Sequence, residues 1–252
     1  MPNPHGSYIW YELLTSDAEA AQRFYGPITG WTFRKAPGSE RDYRLINAGD
    51  SDVGGLMRSP DAKLKAWLGY IGVDDVDATC SKLKKLGGKI HMEPFDIPNV
   101  GRLAFVADPQ GVLFYVMRGA SPEASKAFAT RTVGHCGWNE LVCDDPKAAL
   151  SFYGELFDWT KGDVMKMGEM GDYTMLMHHG QMIGATMKTQ AGGPPAAWQY
   201  YFRVAGIDTA AKRIKQQDGR LMHGPAEVPG GDHIVIGSDP QGATFALVGA
   251  KG

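Results

Sequence analysis

From Tyr8 to Leu14 the chain reads YIWYELL, a short run rich in Tyr, Ile, Trp and Leu that predicts a strand. A helix follows. Ser16 and Asp17 both offer an N-cap, Glu19 stands three residues after Ser16 at capping-box spacing, and Ala20, Phe24 and Ile28 recur at i, i+4 and i+8 as one buried stripe. Three strands are then predicted, near 31–36, 42–48 and 53–58. The plan recurs at once: a strand over 67–73, a helix over 75–86 stopped by Gly87-Gly88, and strands near 89–93, 101–107 and 112–118. Three successive strands after each helix exclude a doubly wound sheet, in which strand and helix alternate throughout.

The whole pattern occurs twice. WYELLTSDAEAAQRFYGPITGW (10–31) and WNELVCDDPKAALSFYGELFDW (138–159) agree at ten of twenty-two positions without a gap. At an offset of 131, residues 67–98 match 198–229, and ADPQGVLFYV (107–116) matches SDPQGATFAL (238–247). In the second copy Asp145 precedes Pro146, an N-cap followed by a proline at the first helical position, and Ala148, Phe152 and Leu156 repeat the stripe. The fold class that follows is α+β: two tandem domains, 1–118 and 134–252, each a pair of βαβββ modules. Residues 119–133, small and polar, read as a linker with one helical turn.

Composition narrows the partners. A length of 252 residues suits two domains, and 43% hydrophobic with 21% charged residues is ordinary for a soluble globular protein. A net charge of −2 argues against nucleic acid or an anionic membrane as partner. The run Lys82–Lys85 is read as the wet face of a helix. Cys80, Cys136 and Cys143 are too few and too scattered for a disulfide framework and fit a reducing compartment. The start MPNPHGSYIW has neither the basic nor the apolar region of a secretory signal, and no apolar run is long enough to span a bilayer, so the expected location is the cytoplasm. A small-molecule ligand is the expected partner, with a homodimer left open.

The strand, the D-x-x-x-A-x-x-F-Y helix with its later G-W, the VDDVD helix start at 73–77 and the D-P-x-G turn before the last strand resemble the vicinal oxygen chelate superfamily. That superfamily includes glyoxalase I, bleomycin and fosfomycin resistance proteins and extradiol dioxygenases. The likeness covers both halves and is greatest to the two-domain glyoxalase-like proteins. It implies that paired modules form a curved eight-stranded cup with the ligand inside. It also implies metal ligands at fixed points, which map to Trp10, Leu68 and Tyr115 in the first half and to Trp138, Gln199 and Ala246 in the second. Neither half places imidazole or carboxylate there, as a divalent metal of this kind requires. The resemblance therefore supports the fold and not the usual metal chemistry. No cofactor is expected, with a divalent metal at a non-standard site left open.

Strand alternation gives the inward faces. In the first half Tyr8, Trp10, Glu12 and Leu14 share one face, with Leu68, Tyr70 and Tyr115 lining the same space; in the second, Cys136, Trp138 and Glu140 do so with Gln199, Tyr201, Arg203 and Ala246. Large aromatic walls with a few polar groups describe a small-molecule pocket, although aromatic residues on a sheet also serve simply as core. Glu12 and Glu140 are the sharper candidates. An inward carboxylate is either a structural group tied to amides or an Arg, or an acid/base or hydrogen-bonding anchor for a ligand. Arg203, opposite Gly72 in the repeat, is expected to pair with Glu140 and to make the second cup the more polar one. The histidines do not converge: His178 and His179 point to opposite faces, and a site from Cys136, Glu140 and a rim His lacks ligands. Three functions stay open: a metal-free binder of a small organic molecule, a glyoxalase- or dioxygenase-like enzyme using the glutamates or a rebuilt metal site, and an interaction scaffold with filled cups.

Overall fold

A computed structural model describes residues 3–39 and 41–252. In chain order the elements are β1 (Tyr8–Thr15), α1 (Ala18–Thr29), β2 (Thr32–Lys35), β3 (Tyr43–Ala48), β4 (Ser51–Arg58), β5 (Ala66–Gly72), α2 (Val76–Lys85), β6 (Lys89–Ile97), β7 (Gly101–Ala107) and β8 (Leu113–Gly119). The second half repeats them as β9 (Cys136–Cys143), α3 (Pro146–Phe157), β10 (Thr160–Lys166), β11 (Asp172–His178), β12 (Gln181–Lys188), β13 (Ala197–Val204), α4 (Ile207–Gln216), β14 (Arg220–Glu227), β15 (His233–Ser238) and β16 (Thr244–Gly249). The strands form two open eight-stranded sheets, of order β2-β3-β4-β1-β5-β8-β7-β6 and β10-β11-β12-β9-β13-β16-β15-β14. This is four βαβββ modules, as the spacing predicts. Among the described residues no helix is long and apolar enough to cross a membrane. The expected helical turn in the 119–133 segment does not form; that stretch is irregular, and the Ser125 hydroxyl donates to the Ile9 carbonyl at 2.6 Å.

Helix ends follow the capping chemistry. Asp17 accepts from the amides of Glu19 and Ala20, and Asp145 from those of Lys147 and Ala148, so aspartate caps both helices and the Ser16 box is not used. α1 closes on Gly30 at φ +79°, whereas α3 closes on Asp158 at φ +60°, one of the few non-glycine types that tolerate a left-handed cap. The buried stripe holds at Phe24, Ile28, Phe152 and Leu156 but not at its first members. Ala20 is only half-buried and Ala148 is exposed, while Ala21, Phe24, Tyr25 and Ile28, and Ala149, Phe152, Tyr153 and Leu156, form the buried face.

The chain packs as two compact units, each drawing one module from either half. One comprises the leading segment ending at Ile9 with Gly69–Ser125 and Asn139–Gln199; the other comprises Trp10–Leu68, Lys126–Trp138 and Tyr200–Gly252. In the second unit Tyr25 on α1 lies edge-on to Trp67 and Phe245, with ring centroids 5.5 and 5.6 Å apart, and Phe202 fills the space against Trp31 and Trp67. In the first unit Tyr153 on α3 stacks on Trp159 at 5.4 Å and meets Trp198 and Phe114. Tyr8, placed on the inward face by alternation, instead packs on Trp159 and Trp198 in this core.

Each core contains the same buried polar chain. Trp67 Nε1 donates to the Tyr25 hydroxyl at 3.1 Å, which donates to Asp239 Oδ2 at 3.1 Å, while Asp239 Oδ1 accepts from the amides of Gln241 and Ala243. Trp198, Tyr153 and Asp108 repeat this in the other unit at 3.1 Å for each step, with Gln110 and Val112 supplying the amides. Two further indoles cross between sequence halves: Trp31 Nε1 donates to the Gly134 carbonyl at 2.7 Å, and Trp159 Nε1 to that of Gly6 at 2.9 Å. The repeated Phe-Tyr-Gly and Asp-Pro-Gln-Gly segments thus supply, respectively, the phenol and the carboxylate of a buried hydrogen-bonded chain, which satisfies polar groups that would otherwise be costly to bury.

Burial pushes the carboxyls of Asp108 and Asp239 above the ordinary aspartate range, and their amide and phenol donors pull them back. A folded-state pKa above the unfolded one means that folding takes up a proton between the two values. The contribution of these carboxyls to stability is therefore greatest below that window and falls as pH rises through it. Replacing Tyr25 by Phe removes the donor to Asp239 and the acceptor of Trp67. Urea unfolding is expected to show a loss of about 1–3 kcal/mol at neutral pH and a smaller loss as pH falls through the raised pKa of Asp239; an equal or larger loss in acid would contradict this assignment.

Candidate functional site

The helices cover one face of each sheet, and the other face carries the residues singled out by alternation. On β1 the buried Tyr11 and Leu13 belong to the helix side, Tyr11 meeting Tyr200 and Phe202, so Trp10 and Glu12 belong to the opposite face. Trp10 is half-buried and its Nε1 donates to the Tyr43 hydroxyl at 2.9 Å. Glu12, only 2% exposed, pairs in register with Gly55 on β4. A Cβ on Gly55 would stand 1.9 Å from the Tyr43 hydroxyl, so the phenol lies over Gly55, the register partner of Glu12, where no side chain stands in its way. Met57, two residues on and paired with Tyr43, leads to an open cleft of about 370 Å³ bounded by Arg41, Asp42, Arg58 and Pro60. Asp42 is held by Arg44, which lowers its carboxyl pKa.

In the second half the corresponding phenol is Tyr173 on β11, whose hydroxyl donates to Glu140 Oε2 at 2.8 Å. Trp138 is half-buried and packs with Tyr201, Ala246, Val248, Ile234 and Ile236 as one apolar cluster. The expected pairing of Arg203 with Glu140 is replaced by two others. Arg203 forms a two-pronged ion pair with Asp232, the second contact at 3.2 Å, and its Nε donates to the Thr130 carbonyl at 2.9 Å, while Glu140 takes Tyr173. The Asp232 carboxyl is lowered by that guanidinium. The loop before β15 is distant in sequence from β13, so no strand alternation could have shown that it brings an aspartate to Arg203. The cation is thus neutralised, and the argument that it makes the second cup a home for anions fails. Gln199 is half-buried at the start of the same strand.

The second module of the first half differs in kind. Tyr70 and Tyr115, paired in register, stack at 4.2 Å with planes 16° apart; Phe105 continues the row at 4.7 Å from Tyr115, and His91 lies 5.6 Å beyond Phe105. Leu68 is buried, at 3% exposure. Sequence reasoning missed Tyr43 and Tyr173. The signal is present, since Asp-Tyr occurs at 42–43 and again at 172–173 at nearly the offset of the larger repeats, on strands outside those that carry the family's metal ligands.

A divalent metal does not fit these faces. Among the described residues no three His, Cys, Asp or Glu side chains come together in a way that could hold one. At the mapped positions Trp10 uses its indole nitrogen as a hydrogen-bond donor, and Leu68 and Ala246 carry no donor atoms at all. What the faces offer is phenols, indoles and two carboxylates.

The comparisons with known proteins match this architecture. A family model described as "Glyoxalase/Bleomycin resistance protein/Dioxygenase superfamily" matches residues 8–116 and 132–247. A protein of Mycobacterium tuberculosis named "Putative glyoxylase CFP32" is 30% identical over 252 residues, covering 96% of this chain and 94% of its own. "Anthracycline biosynthesis protein DnrV" of Streptomyces peucetius is 28% identical over 262 residues, covering 96% of this chain and 93% of its own. Among solved structures, a Mn(II)-bound glyoxalase from Novosphingobium aromaticivorans superposes with a TM-score of 0.64 at 18% identity, covering 97% of this chain and 81% of that one, a likeness of fold. On the two matched regions and the fourfold βαβββ plan, the chain belongs to the glyoxalase, bleomycin resistance protein and dioxygenase superfamily.

Proposed function

We propose that the protein binds a small organic molecule on the helix-free faces of its sheets, without a divalent metal. The hydrogen bond from Tyr173 to Glu140 carries this reading: a phenol and a carboxylate, coupled at 2.8 Å, stand on the strand face where the family resemblance would put metal ligation. The Trp10–Tyr43 pair over Gly55 supports it in the first half. Such groups orient a hydroxyl or carbonyl, and the flat aromatic walls suit a planar body. The relative named for anthracycline biosynthesis makes a polycyclic aromatic ketone a reasonable ligand class, and the family description makes drug sequestration of the bleomycin-resistance type another. The same Tyr173–Glu140 couple could also take and return a proton, which favours a metal-free lyase or isomerase as the second reading. Three buried cysteines, none of them in a disulfide, support a cytoplasmic location.

The test is elemental analysis with titration of an anthracycline, a catechol and the glutathione hemithioacetal of methylglyoxal, in the presence of EDTA. Saturable binding of the anthracycline by protein holding far less than one metal per chain is expected, weakened roughly tenfold in Glu140→Gln if the carboxylate anchors a ligand hydroxyl. About one tightly held metal per chain, with activity lost on chelation, would overturn the reading. Gly55→Ala provides a separate check on the first half. The added methyl must displace Tyr43 and break its bond with Trp10, so the tryptophan emission spectrum should shift; an unchanged spectrum and unchanged binding would remove Tyr43 from the site.

A further inference from the structure

The end of the first sheet carries a second recess that shares no residue with the pairs described above. It is an open cleft of about 520 Å³, within the range of small-molecule sites. Ala107 on β7 and Leu113 on β8 pair in register and form its floor, Pro109 forms a wall, and Lys89 and His91 on β6 form the opposite edge. Gly87 and Gly111, both at positive φ, border it with no side chain to fill the space.

Three features specify what could occupy it. The first is the aromatic row Tyr70–Tyr115–Phe105–His91, whose last two rings are half-buried and exposed respectively. Phe105 precedes Ala107, and Tyr115 follows Leu113, by one strand repeat on the same face, so the row runs into the floor of the cleft. A bulge in β6 between Ile90 and Met92 sets His91 out of the ladder and turns its ring toward Phe105. The second feature is charge. Lys89 is exposed and takes no side-chain partner among the described residues, and α2 ends nearby with Lys82, Lys84 and Lys85 in its last turn. Asp108 borders the cleft, but it is 3% exposed and its oxygens accept from two amides and the Tyr153 hydroxyl, so it is turned away from a ligand. The third is asymmetry. At the offset of 131, Tyr70 corresponds to Tyr201, but the positions of His91, Phe105 and Tyr115 hold Met222, Ile236 and Ala246, so the second sheet does not continue the row of rings.

We infer that this cleft is a binding site for a one- or two-ring aromatic acid, its ring laid over Leu113 and Ala107 against the Phe105–His91 end of the row and its carboxylate directed to Lys89. Aromatic stacking gives the site its preference for flat ligands, and Lys89 its preference for anions. Because the site uses none of Trp10, Tyr43, Glu140 or Tyr173, it stands whether or not the reading of those residues holds.

The probe is 2-naphthoate, titrated into the full-length protein by calorimetry and followed by NMR at the His91 imidazole and the Leu113 methyls, with neutral 2-naphthamide as the comparison. Saturable naphthoate binding is expected, with ring-current shifts at both residues. The Lys89→Gln variant should bind naphthoate roughly three- to fivefold more weakly, as loss of an exposed ion pair implies, and should no longer distinguish acid from amide. Phe105→Leu should weaken both probes alike. Absence of saturation, shifts that leave His91 and Leu113 unmoved, or an acid-over-amide preference that survives Lys89→Gln would each overturn the inference.

Discussion

Tyr25, Tyr153, Asp108 and Asp239 carry polar atoms into two aromatic cores, and burial leaves those atoms few choices of partner. Each carboxylate must collect donors, and each phenol must both accept and donate; the chain Trp–Tyr–Asp does this in each core with the same geometry. The phenol comes from a helix of one half and the carboxylate from a turn of the other. This requirement explains why the two halves share the Phe-Tyr-Gly and Asp-Pro-Gln-Gly segments, and why each compact unit takes one module from either half. The helix-free faces, free of that constraint, have diverged: a row of stacked rings on one sheet, a mixed apolar cluster of Trp138 and Tyr201 with Ala246, Val248, Ile234 and Ile236 on the other.

Much of this architecture is legible in the sequence because strands, caps and turns are local. Asp145 with Pro146 and the Gly87-Gly88 stop specify helix ends through groups only a few residues apart. The alternation that places Trp10 and Glu12 on one face is also local, and it fails at the first residue of either strand: Tyr8 is drawn into the core by Trp159 and Trp198, and Cys136 is buried against Tyr11. The helix stripe is legible at Phe24, Ile28, Phe152 and Leu156, while the i, i+4 rule omits the second residue of each buried pair, Tyr25 beside Phe24 and Tyr153 beside Phe152.

The site was less legible, for a physical reason. A side chain's partner depends on which loop returns to it. Asp232 reaches Arg203 from 29 residues away and Tyr173 reaches Glu140 from 33, and neither separation is encoded in strand period. That the mapped positions lack imidazole and carboxylate is legible, since it needs only residue identity. The phenols that stand on those faces instead were visible as a repeated Asp-Tyr, but their role depends on the sheet register that lays Tyr43 over Gly55.

The account turns on the halves being mutually required, and separating them tests it most directly. Residues 1–125 and 126–252, produced as two chains, should each lack a native near-ultraviolet aromatic signal and a cooperative melt as monomers, and should regain both when mixed. The first half alone has Tyr25 and Trp31 without Asp239 and the Gly134 carbonyl, which leaves a phenol and an indole without their buried partners. A monomeric 1–125 fragment that melts cooperatively with its aromatic signal intact would contradict the account.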